Sequence, residues 1–166
     1  MLKGLGSILI LVACVGLGYA HSIELKVHLK DLEDVHKLFL LLKSELQYTK
    51  APFSELFLNV SKKMQTPYRE WLDNLSEQLK SKNRASFWET WCESIDEDLK
   101  GSRLKKAELT ELKEVGKNLE HVEHLELFIE QMNERIKCTR EEYRSKTKLC
   151  QSMGIMGGIF LVILLL

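Results

Sequence analysis

The sequence predicts an all-α protein: a six-helix bundle with two long membrane-proximal helices, flanked by an N-terminal and a C-terminal transmembrane segment. Three observations predict it. The chain has only two prolines and is rich in Leu, Glu and Lys, a composition that suits helix. No stretch alternates with period two long enough to make a strand. Apolar residues instead recur at steps of three and four through most of the chain. The expected division is 1–20 as one membrane segment, 21–150 as the helical bundle and 151–166 as the second membrane segment.

The first element is Leu5–Ala20, apolar and preceded by Lys3. A transmembrane helix is the first reading. A cleaved signal peptide is the second, since the n-region is positive and Gly18-Tyr19-Ala20 offers small residues to a peptidase. A lipid-modified Cys14 is the third, although apolar residues continue past it. The helical pattern runs on without a breaker from Ala20 to about Tyr48. There Leu25, Leu29, Leu32, Val35, Phe39, Leu42 and Leu46 form one stripe.

Four shorter helices follow. Pro52 fits the first turn of a helix over 52–63, with Phe53, Leu56, Phe57 and Val60 inward. Thr66 as N-cap and Pro67 at the first helical position open a helix to about Leu79. Ser86-Phe-Trp-Glu89 reads as a capping box. It starts a helix to Leu99 whose inner face holds Trp91, Ile95 and Leu99, with Phe87 or Trp88. Lys100-Gly101-Ser102 stops that helix and caps the next, Arg103 to about Val115. Gly116 is the expected end signal.

The last element begins between Gly116 and Val122. Val122, Leu125, Ile129, Met132, Ile136, Thr139, Tyr143, Lys146 and Cys150 make a heptad seam that turns polar towards its end. The uncharged run Met153–Leu166 succeeds it. Counted from Leu149, this is about 27 Å of helix, close to the ~30 Å hydrocarbon core of a bilayer. Two long amphipathic helices that each lead to a membrane segment must cover their stripes, and antiparallel pairing as a stalk does so. Lys137, Arg140, Arg144, Lys146 and Lys148 precede the second segment, which places the helical domain in the cytosol by the positive-inside rule. In the membrane segments Gly154, Gly157 and Gly158, with Gly16 and Ala20, offer small surfaces for membrane helix packing.

Charge and cysteines exclude some classes. The chain has 24 basic and 24 acidic residues; nucleic-acid binding calls for a basic face. Cys138 and Cys150 lie about 18 Å apart on one helix and cannot bridge. Cys92 has no evident mate, and no framework of spacings exists. A reducing compartment is the simpler reading.

Candidates for chemistry are few. Glu120, His121 and His124 share a helix turn, but a zinc site needs three or four converging ligands. Surface histidines account for them better. His28 and His36 fit as partly buried residues beside the first stripe. Glu141-Glu142 and Asp96-Glu97-Asp98 read as solvated faces. Trp71, Trp88 and Trp91 could line a ligand pocket, but their helical spacing suits a core. No P-loop, dinucleotide fingerprint or nucleophile elbow is present. The expectation is therefore a protein that is not an enzyme, with no catalytic, metal or cofactor residues. A membrane-anchored ligand-binding sensor is the alternative.

The chain also resembles the stage III sporulation protein AB family of endospore-forming bacteria. Met1-Leu-Lys-Gly-Leu-Gly-Ser7, Ser44-Glu-Leu-Gln-Tyr-Thr-Lys-Ala-Pro-Phe53 and the tail Leu149–Leu166 carry the resemblance, which spans the whole chain. It departs from the family at Ala51-Pro52-Phe53 and at Glu120 and Val122-Glu123. The resemblance implies a mother-cell protein of the outer forespore membrane, in the assembly that links the two cells after engulfment. It implies a helical domain similar to the cytoplasmic domain of the F-type platform protein of type II secretion. The partners it implies are other membrane proteins of the same sporulation complex, its cytosolic ATPase, the lipid bilayer and further copies of the chain.

Overall fold

The computed structural model describes the backbone of residues 2–49, 51–81 and 86–165, and the side chains of 23–49, 51–81, 86–149, 152 and 156. Among the described residues there are six helices and no strand: α1 (Leu2–Tyr48), α2 (Phe53–Ser61), α3 (Tyr68–Ser81), α4 (Phe87–Asp98), α5 (Lys106–Gly116) and α6 (Val122–Leu165). They divide into two compact units. One is Lys30–Ile136, and the other is made of Met1–Leu29 and Lys137–Leu166.

The central unit, Lys30–Ile136, holds most of the described core. From α1 it takes Leu32, Val35, Phe39 and Leu42, all at most 1 % exposed, and also Leu38, which lies beside the expected stripe. Phe39 meets Phe128 edge to face, ring centroids 4.7 Å apart, and Lys43 pairs with Glu126 at 2.7 Å. The two contacts ascend α1 and descend α6, so these helices run antiparallel here, as expected. The α6 seam holds at Leu125, Met132, Ile136 and Thr139 and departs from the expected one at a single step, where Phe128 replaces Ile129. Leu125, Phe128, Met132 and Ile136 are buried, while Ile129 is only half-buried. The larger aromatic wins the inward position, because it removes more apolar area from water.

The shorter helices pack in chain order, α2 on α3, α3 on α4 and α4 on α5. Their starts correct three expectations. Pro52 is the N-cap of α2 and not its first helical residue, because its ψ of 151° is extended. Its carbonyl accepts the N–H groups of Glu55 and Leu56. The fixed proline φ suits both positions, and ψ decides between them. At α3 the Pro67 carbonyl accepts from Trp71 N–H at 3.1 Å, so Pro67 occupies the cap position assigned to Thr66. The Thr66 hydroxyl bonds instead to the Glu70 carboxylate at 3.1 Å.

At α5 the helix begins at Lys106, three residues later than expected. Ser102 turns back to the Leu99 carbonyl, 2.8 Å from its hydroxyl, and closes the end of α4. The Glu108 carboxylate then accepts the Lys105 N–H at 2.7 Å. The α4 start is as expected, with Glu89 accepting the Ser86 N–H at 3.3 Å.

In the other unit His28 and Leu29 of α1 and Thr139 of α6 are buried. Among the described residues no helix is long and apolar enough to cross a membrane. The segments expected at 1–20 and 151–166 fall on positions whose side chains, apart from Ser152 and Met156, lie outside the described ones. So do Gly16, Ala20, Gly154, Gly157 and Gly158.

Candidate functional site

Three places in the described chain deserve a chemical reading: the tryptophan cluster, the histidine pair and a groove between α5 and α6.

The tryptophans are core. Trp71 and Trp91 are fully buried, with ring centroids 5.2 Å apart. Phe57 and Phe87 stack on Trp91 at 5.8 and 6.0 Å. Burying an indole strands its N–H unless it finds an acceptor, and both do. Trp71 donates to the Ser94 hydroxyl at 3.0 Å, which donates on to the Trp91 carbonyl at 2.9 Å. Trp91 donates to the Leu112 carbonyl at 3.0 Å, tying α4 to α5. Trp88 is half-buried, with the Lys117 ammonium 4.8 Å from its ring centroid.

Gly116 owes its identity to this cluster. It ends α5 as expected, but its backbone is not left-handed. A Cβ there would lie 2.8 Å from Trp91 Cγ and nearer still to Cδ1 and Nε1. The glycine lets α5 approach the indole.

Polar groups in the interior join helices. Asp31 on α1 is buried. Its carboxylate accepts the Arg103 N–H at 2.6 Å, fixing the α4–α5 connection to α1. The buried Tyr68 hydroxyl lies 3.4 Å from the Asp31 carbonyl. Burial pushes the Tyr68 phenol well above the ordinary tyrosine value, and Asp31, Asp34 and Glu108 push the same way. Ser76 donates to the Ser54 carbonyl at 2.6 Å and joins α3 to α2.

His121 and His124 are exposed, with rings 5.9 Å apart. Glu120 is exposed beside them. Among the described residues no three His, Cys, Asp or Glu side chains converge to hold a metal ion. Cys92 is half-buried and Cys138 exposed, both as free thiols. Burial raises the Cys92 thiol above its ordinary value.

The groove was not legible in the sequence. It has a volume of about 270 Å³ and is lined by Glu111, Glu114 and Val115 of α5 and by His124, Leu127 and Phe128 of α6, among others. Leu127 is 55 % exposed there. Arg135 reaches Glu111 across the two helices at 2.8 Å. The seam expected at Ile129 hid this, because it left Leu127 with no assigned face.

These features define a class: an all-helical protein with long first and last helices, an aromatic centre whose buried indole N–H groups are taken up internally, and an open groove between α5 and α6. Within that class the chain belongs to the stage III sporulation protein AB family, whose model matches residues 3–166. Its role is thus related to sporulation. No curated protein and no solved structure is significantly similar to it.

Proposed function

We propose that the protein is a non-enzymatic, membrane-anchored platform or adaptor subunit of the channel complex that joins mother cell and forespore after engulfment. The observation that carries this reading is how the interior polar groups are used. Trp71, Trp91, Ser76, Ser94 and Asp31 hold helices or each other. A scaffold needs such a rigid body and a surface for partners.

Anchoring is supported by the sequence: the apolar stretch 5–20 and the uncharged run Met153–Leu166. The basic residues 137–148 favour a cytosolic central unit. The partners of this reading are other membrane proteins of the same complex and its cytosolic ATPase.

Deleting the gene in its native organism and inducing sporulation tests the proposal. The expected result is arrest just after engulfment and loss of heat-resistant spores, with recovery on re-expression. Recovery is also expected from a chain carrying His121→Ala and His124→Ala. Normal spore yield in the deletion strain would remove the channel-subunit reading.

A further inference from the structure

The charge of the chain is balanced overall but not locally. From Glu108 to Glu134 there are eight glutamates against two lysines, and from Asn118 to Glu134 no lysine or arginine at all. This acidic stretch builds most of α5 and the first third of α6, the two helices that line the groove. Lys117 is held by Glu114 at 2.7 Å. Glu120, Glu123 and Glu130 are exposed. Glu123 and Glu130 stand four residues before and three after Leu127, which puts them on the same side of α6.

We propose that the α5–α6 groove is a docking site for a basic amphipathic helix of a partner protein. The floor is apolar, with Val115, Leu127 and Phe128, and the rim is acidic. A helix carrying an apolar stripe and lysines or arginines beside it matches both. The α5 wall, Thr110 to Val115, gives about 8 Å of contact, roughly one and a half turns of a docked helix. Glu111 and Glu114 already pair with Arg135 and Lys117, and the exposed Glu120, Glu123 and Glu130 add the surplus negative charge that steers a cationic helix and sets its orientation.

The inference deepens the platform reading, on which it rests for the biological identity of the partner, but the surface can be tested alone. The full chain is reconstituted in neutral phosphatidylcholine nanodiscs. Two fluorescein-labelled helical peptides of 18 residues serve as probes, with the same leucine stripe and with either lysine or glutamate elsewhere. Fluorescence anisotropy is measured against empty nanodiscs. The lysine peptide is expected to bind at least tenfold tighter than the glutamate peptide, and to weaken as salt rises.

Leu127→Ser should weaken binding at least fivefold, and Glu123→Lys with Glu130→Lys at least tenfold. All three positions are exposed, so circular dichroism should show these variants folded. Equal binding of both peptides, or variants within twofold of the parent, would overturn the proposal. So would sedimentation showing a dimer that Leu127→Ser disperses, since a second copy would then fill the groove. A negative peptide result beside arrested sporulation in the deletion strain would sink the groove and leave the platform role standing.

Discussion

A single methyl group at Gly116 separates two physical effects. Helix propensity alone favours alanine over glycine by about 1 kcal/mol. Against it stands the rigid Trp91 indole, which would have to move; overpacking of this kind costs about 1–3 kcal/mol. Gly116→Ala is therefore expected to lower stability in chemical denaturation, and an unchanged or raised midpoint would show that the indole has room. The sequence marked this glycine correctly as a helix end, but for a conformational reason. The actual reason is a side chain 25 positions earlier, which no local pattern reports.

Two titrating groups, the half-buried His36 and the buried Tyr68, give pH signatures. Burial holds His36 below its ordinary value of 6.5. As pH falls the unfolded chain takes up that proton first, so stability drops from about pH 6.5 downward. His36→Gln should flatten the profile there. The Tyr68 phenol is raised instead, so its contribution is complete below the ordinary value of 10.0 and is lost as pH rises beyond it. Subtracting the unfolding profile of Tyr68→Phe from that of the parent should isolate a loss confined to the alkaline side.

At the scale of elements, the phase of α6 and the tie between α1 and the α4–α5 connection are the points to probe. Phe128 is 7 % exposed, and Phe128→Ala should cost about 3 kcal/mol, whereas Ile129→Ala should cost about 1 kcal/mol. Equal costs would restore the seam that the heptad pattern predicts. A period of three and four admits either Phe128 or Ile129, and only the partner Phe39 distinguishes them.

Asp31→Ala removes the acceptor of the Arg103 N–H and should cost about 1–3 kcal/mol, read as a fall in melting temperature. Asp31 stands outside the expected apolar stripe of α1, and nothing local calls for its burial. Its burial follows from residue 103, so helix number and order were readable in the sequence while this joint was not. The helix starts show the same division. The Ser86 box was legible because every partner lies within four residues. At Pro52 and Pro67 the residue type permits two cap registers, and the neighbouring ψ or carbonyl chooses.

At the scale of the whole molecule, thiol chemistry reports placement. Cys138 is exposed, while Cys92 is half-buried with its thiol raised by burial. The thiolate is the reactive form. A maleimide should thus modify Cys138 faster than Cys92 in purified protein, as followed by mass spectrometry of peptides. In intact cells an impermeant reagent should reach neither before the membrane is opened. Labelling of Cys138 from outside would reverse the proposed cytosolic placement of the central unit. The apolar runs at 5–20 and 153–166 and the basic residues ahead of the second were legible in the sequence. The groove was not, because its lining is shared between residues of two helices.

The pairing of Phe39 with Phe128 also dictates when the protein can finish folding. α2 to α5 pack between sequence neighbours and need little of the chain. The apolar side of α1 has to wait for a residue 89 positions later. At ribosomal speeds of about 5–20 residues per second, the Phe39 ring waits for Phe128 for roughly 4–18 s of every round of synthesis. During that interval the nascent chain exposes a ready site for aggregation or for a chaperone. A chain released before residue 128 would never close it.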